Sequence, residues 1–227
     1  METRLNEPNE YLSGSRIVLS ASLLTLTRTK VREALHEVKQ GHLPEGNPVD
    51  FDDRQLYGFS TLHGIISAVL GSDGKLVFGG HPTVTPIAVH IAEALGKKDR
   101  LVVYQSEWFR DMKTPEIDEI TEKGLGTVVW IGKDFDLDRS LFKMRLAMIA
   151  DQSSSAAIFF GNTAGVQDEY RMWLRHADGV PPVLALPECE YDGLVFDGEL
   201  FEGFNQVQFQ AYLTGMGFIA AITENHV

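Results

Sequence analysis

Short apolar runs alternate along this chain with longer stretches whose apolar positions recur every three or four residues. The first pattern predicts buried strands and the second amphipathic helices. Residues 17–20 (Ile-Val-Leu-Ser) read as the first strand. A helical pattern then runs to about residue 39, with Val31, Leu35 and Val38 on one face. Gly41, Pro44, Gly46, Asn47 and Pro48 mark 41–50 as a loop. Asp52 or Asp53 is placed to cap the next helix, which carries Phe59, Leu62, Ile65, Ile66 and Val69 and stops at Gly71-Ser72-Asp73-Gly74.

The alternation continues with a strand at 75–78, a helix at 84–95 and a strand at 101–104. Thr114-Pro115-Glu116 puts proline at the first position of another helix, with acids behind it. A strand at 127–131 follows, then a helix at 137–150, a strand at 156–160, a helix at 166–177 and a strand at 182–186. Residues 187–205 read as loop and 204–223 as a last helix. Strands that alternate with helices predict an α/β fold: one doubly wound, mostly parallel sheet of about six to seven strands. The chain divides into an N-terminal extension at 1–15, one binding domain at 16–203 and a C-terminal helix at 204–227.

Ligands in such sheets sit at the carboxyl ends of the strands. Those ends carry Ser20-Ala21-Ser22, Gly79-Gly80-His81-Pro82-Thr83, Gln105-Ser106 and Gly161-Asn162-Thr163, small hydrogen-bonding residues throughout. At 79–83 and 161–165 an apolar run stops at glycine and a helix begins shortly afterwards. Glycine lets a ligand approach the backbone, and a helix start offers free N–H groups to an anion. Both turns are therefore expected to hold phosphate. Neither is a Walker loop, because no Gly-Lys-Ser/Thr follows, and the spacing is not the dinucleotide fingerprint.

His81 either contacts the ligand or locks the turn, and Thr83 and Thr85 either cap the helix or donate to phosphate. Glu169, four residues after Gly165, suits a ribose hydroxyl as well as it suits the helix dipole. Trp108 and Phe109 are candidates to stack on a base. Arg110 and Lys113 are the cations nearest in sequence to the strand ends, and so are candidates to neutralise phosphate.

Charge narrows the ligand class. Acids outnumber bases by 32 to 20, a net −12 that repels polyanions, so nucleic acid is not an expected partner. A small phosphorylated ligand remains compatible, since a few local donors hold it. An apolar fraction of 44% supplies an ample core. No run approaches the ~18 apolar residues of a membrane span, and the polar start lacks a signal-peptide core. A lone Cys189, flanked by acids, excludes an internal disulfide and fits a reducing cytoplasm. The 134–138 run of alternating aspartates resembles a calcium loop, but Arg139 and Arg145 stand where the loop glycine and terminal glutamate belong, so helix capping by Asp136 or Asp138 is expected and no metal is. Phe204, Val207, Phe209, Tyr212, Leu213, Met216, Phe218 and Ile219 leave the last helix apolar on more than one face, which predicts a homo-oligomer contact.

Arg16-Ile17-Val18-Leu19-Ser20-Ala21-Ser22, Phe78-Gly79-Gly80-His81-Pro82-Thr83, Tyr104-Gln105-Ser106 and Gly165-Val166-Gln167-Asp168-Glu169-Tyr170 resemble, in that order, the motifs of the SLOG superfamily. That superfamily comprises Rossmann-like nucleotide-binding domains related to DprA and to the Lonely-guy cytokinin-activating enzymes. The likeness spans about residues 16–186 and is nearest to the branch found in bacterial conflict systems such as Thoeris antiphage defence. It implies a sensor that binds an ADP-ribose or cyclic ADP-ribose derivative and controls an effector protein, with no separate cofactor. The implied ligand shell is Ser20, Ala21, Ser22, residues 79–83, Gln105, Ser106, Gly161, Asn162, Thr163, Gly165 and Glu169. Lonely-guy enzymes carry Pro-Gly-Gly-x-Gly-Thr-x-x-Glu; here phenylalanine replaces the proline, asparagine the second glycine and valine the threonine, while Glu169 keeps its register with Gly165. The departures favour binding over hydrolysis. The alternative is a nucleotide N-glycosidase of Lonely-guy or deoxyribosyltransferase type, with Glu169 catalytic. A third reading is a scaffold whose site is vestigial.

Overall fold

Strands that are apolar at nearly every position need cover on both faces, and helices supply it here. A computed structural model of the chain describes residues 12–22, 26–39, 51–151, 154–161, 163–176 and 183–186. Its strands are β1 (Arg16–Ala21), β2 (Lys75–Gly79), β3 (Leu101–Ser106), β4 (Gly126–Ile131), β5 (Ala156–Phe160) and β6 (Val183–Leu186). Its helices are α1 (Arg28–Lys39), α2 (Asp53–Gly71), α3 (Thr85–Ala94), α4 (Pro115–Glu122), α5 (Leu137–Ile149) and α6 (Ala164–His176). A 3-10 helix at Glu107–Met112 links β3 to α4. Cys189, the 187–205 segment and the apolar stretch at 204–223 lie outside the described residues.

The sheet runs β4-β3-β2-β1-β5-β6, with every neighbouring pair parallel. Side chains alternate between its faces. Ile17, Leu19, Leu76, Phe78, Leu101, Val103, Ile158 and Phe160 pack with α1 to α4 on one side. Val18, Val77, Val102, Tyr104, Ala157 and Phe159 pack with α5 and α6 on the other. The chain steps outward from β1 to β4, returns across β1 to β5, and steps outward again. Right-handed crossovers made in opposite directions place their helices on opposite faces. The reversal opens a crevice at the carboxyl ends of β1 and β5, where doubly wound sheets bind ligands.

Local chemistry fixes the element ends. Asp52 accepts from the Gln55 N–H while the Gln55 side chain accepts from the Asp52 N–H, a capping box on α2. Asp136 caps α5 by accepting from the Arg139 N–H at 2.8 Å. Thr163 Oγ1 accepts from the Val166 N–H at 3.3 Å and caps α6. At α3 neither Thr83 nor Thr85 caps: the N-cap position belongs to Val84, which makes no side-chain bond. Both threonines bond to His81 instead, Thr83 Oγ1 to the ring Nδ1 and Thr85 Oγ1, as donor, to the carbonyl oxygen.

Candidate functional site

The crevice holds a cavity of about 590 Å³, within the ~300–1,000 Å³ range of small-molecule sites. One end is polar. Ser20, Ala21 and Ser22 come from the end of β1, and Thr163, Ala164, Gly165 and Glu169 from the cap and first turns of α6. The Ala164 and Gly165 N–H groups have no partner among the described residues, and Thr163 already serves Val166. Unbonded first-turn N–H groups attract an anion.

Over that end hangs Arg145, delivered by α5 as the helix crosses the sheet from β4 back to β5. A Cβ on Gly165 would stand 2.6 Å from Arg145 Nη2, so the guanidinium rests against the start of α6. Arg145 Nε lies 3.2 Å from Glu169 Oε1, at an angle that leaves Nε without a hydrogen bond. Asp168 Oδ2 stands 4.0 Å from Arg145 Nη1 on the outer side. The Glu169 side chain is 12% exposed. Burial pushes its carboxyl up, against the opposing pull of Ser20 and Arg145, and Asp168 adds to the rise. Ser20 is 2% exposed; its hydroxyl favours the Glu169 carboxylate from nearby yet has no aligned hydrogen-bond partner. A buried hydroxyl without a partner costs roughly 1–3 kcal/mol, and this one faces a cavity.

The β2–α3 turn forms the floor, and it differs from expectation. The Gly80 N–H donates to the Tyr104 carbonyl, the His81 N–H to that of Gly79, and the Val84 and Thr85 N–H groups to that of His81. The Thr83 N–H donates to His81 Nδ1, and Pro82 has none. Every N–H from 80 to 85 is thus engaged or missing, and this turn forms no N–H cradle for phosphate. Its glycines instead open the floor: a Cβ on Gly80 would stand 2.7 Å from Gln105 Nε2 and 3.0 Å from Ile117 Cδ1. His81 lines the cavity, and burial lowers its pKa. With Nδ1 accepting from Thr83, the proton of the neutral ring sits on Nε2.

Phe109, Met112, Leu141 and Met144 give the cavity its apolar lining, and Lys113 and Thr114 line it as well. Of the residues expected at the site, Ser20, Ala21, Ser22, Gly79, Gly80, His81, Pro82, Gln105, Lys113, Thr163, Gly165 and Glu169 line this one cavity. Thr83 sits behind the wall on His81, and fully buried Ser106 caps the 3-10 helix by accepting from the Trp108 N–H. Gly161 shapes the turn from beneath, and Asn162 lies outside the described residues. Arg110 stacks on Trp130 at 4.4 Å and pairs with Glu107, off the cavity; Trp108 also does not line it. Lys113 is paired with Asp118. The cation placed at the polar end is Arg145, which sequence reasoning missed. The available signal was an arginine among the apolar positions of α5.

Among the described residues no group of histidine, cysteine or carboxylate side chains is arranged to hold a metal, and no helix is long and apolar enough to cross a membrane. A family model described as the SLOG cluster3 family matches residues 59–187. No curated protein and no solved structure matches the chain.

Proposed function

The chain belongs to the SLOG cluster3 family, and from that membership together with the crevice we propose that it is a sensor for a nucleotide-derived signal, an ADP-ribose or cyclic ADP-ribose derivative, that regulates an effector in antiphage defence. The observation that carries the reading is the polar end of the cavity: two N–H groups of α6 with no partner among the described residues, Arg145 and the unpartnered Ser20 hydroxyl converge there. A phosphate there would be held by Arg145 and the start of α6. Glu169 and Ser22 lie where ribose hydroxyls would follow. The base would rest on the apolar lining, to which Phe109 and Met144 contribute. Gly79 and Gly80 would let the ligand lie on the strand ends. The output would pass through a protein partner or a second copy of the chain, driven by a difference in ligand affinity between two states.

One observation favours hydrolysis as a second reading: Glu169 lines the cavity with its carboxyl pKa raised by burial, as suits the general acid of an N-glycosidase. One experiment separates the two. Thermal shift is measured against ADP-ribose, cyclic ADP-ribose isomers, NAD, AMP and cyclic dinucleotides, and each mixture is then assayed for released base. An intact ligand at ~100 times its Kd should stabilise the fold by about 2.7 kcal/mol. Released base, lost in Glu169→Gln, would replace the sensor by the enzyme. No shift from any compound would overturn the nucleotide reading.

A further inference from the structure

Arg145 occupies an unusual place. A cation beside the N-terminus of a helix is opposed by the macrodipole, and a cation largely out of water needs a counter-charge. Glu169 supplies that charge, but the contact is poorly aligned, with Arg145 Nε unbonded at 3.2 Å. Helix start, guanidinium and Ser20 hydroxyl all suit a second anion in the cavity, and Glu169 competes with it. Arg145 faces Glu169 through Nε and the start of α6 through Nη2, so an anion at the helix start shares its charge with Glu169. A ligand phosphate on the Nη2 side leaves the Glu169 carboxylate with part of its counter-charge and a new negative charge beside it.

We infer that ligand binding in this crevice is coupled to the uptake of one proton by Glu169. The inference rests on the nucleotide reading above. The ligand's anionic group takes part of the Arg145 charge and sets a like charge beside the carboxylate, and a proton from solvent adds to a Glu169 oxygen. The neutral carboxyl then donates one hydrogen bond, from its O–H, to a ligand oxygen, and Ser20 Oγ stands beside it. The direction of the Glu169 shift in the empty protein agrees: burial already disfavours the charged form there. Among the described residues, the charged groups around Glu169 are Arg145 from α5 and Asp168 from its own helix, the latter also held by Arg171; β1 contributes the neutral Ser20. The cavity is also lined by His81, whose pKa burial lowers, and by Lys113, which pairs with Asp118.

The test is isothermal calorimetry of ADP-ribose binding to the full chain between pH 5 and 9, in pairs of buffers with different ionisation enthalpies. The pyrophosphate of ADP-ribose does not titrate in that range, so any proton taken up goes to the protein. Uptake should rise toward one proton between the Glu169 pKa of the free state and that of the bound state, and fall away on either side. Over that window affinity should strengthen by up to about tenfold for each unit of falling pH. Glu169→Gln, which keeps the side-chain shape, should bind with no proton uptake from this site and a flat pH profile. Binding by the wild type with no uptake at any pH would overturn the inference and leave the nucleotide reading standing. Full uptake retained in Glu169→Gln would also overturn it, and would move the proton to another group such as His81. Absence of binding by ADP-ribose and by every other compound of the panel would overturn both.

Discussion

Gly161 shows what the site demands of single residues. Its φ of +99° lies where side chains are rarely tolerated, and a Cβ there would stand 2.5 Å from the Ser22 carbonyl oxygen. That oxygen is main chain at the end of β1 and cannot rotate away. Gly161→Ala should therefore cost about 2–4 kcal/mol, strain and clash together, read as a lower urea midpoint with an unchanged slope. Gly132→Ala, with nothing near its Cβ, is the control and should stay within about 0.5 kcal/mol of wild type. Gly161, like Gly79, was legible in the sequence because it closes an apolar run. What the turns do was only half legible. Backbone N–H groups at both were expected to meet phosphate, yet at 80–85 the His81 carbonyl, His81 Nδ1 and neighbouring strand ends consume them. Arg145 was invisible for a related reason. Nearness along the chain pointed to Arg110 and Lys113, whereas nearness in space is decided by the path of α5 across the sheet.

At the scale of elements, one carboxylate ties the helix layer together. Glu116 opens α4 and is 4% exposed, and Arg28 of α1 donates to it through Nε at 3.1 Å and Nη2 at 2.9 Å. Burial alone would raise the Glu116 pKa; Arg28, the local backbone and Thr114 outweigh it and hold the carboxyl below its usual value. A carboxylate depressed in the folded state stabilises above its unfolded pKa, and the gain is lost as pH falls through the folded pKa. Glu116→Gln should accordingly destabilise by roughly 1–3 kcal/mol at pH 7. The gap to wild type should close as pH drops below about 4, as denaturant melts across that range would show; a gap independent of pH would mean packing, not charge, is at work. The helix itself was readable from Thr114-Pro115-Glu116, as were the Asp52 and Asp136 caps, because capping is decided within one turn. The pairing of α1 with α4 was not readable, since it depends on which helices share a face of the sheet.

For the whole molecule, order along the chain and order in the sheet diverge most at β1. It comes first in sequence and lies between β2 and β5 in space, and it brings Ser20, Ala21 and Ser22 to the cavity. The alternation of strands and helices made the α/β class and the functional edge legible, while the reversal of strand order at β1 is a tertiary choice that no periodicity encodes. The family match at 59–187 begins after β1, α1 and the start of α2, so the matched segment lacks the centre of its own sheet. Ile17, Val18 and Leu19 are each no more than 1% exposed. At ~1.5–3 kcal/mol for each buried side chain, those three alone approach the ~5–15 kcal/mol that holds a domain folded. Removing β1 would also leave one edge each of β2 and β5 without hydrogen-bond partners. A chain cut to residues 59–227 should therefore show no cooperative thermal transition by circular dichroism and no shift with ADP-ribose. If it instead melts sharply and still responds to the ligand, β1 is dispensable, and the polar end of the site must be made by Arg145 and the start of α6 without Ser20.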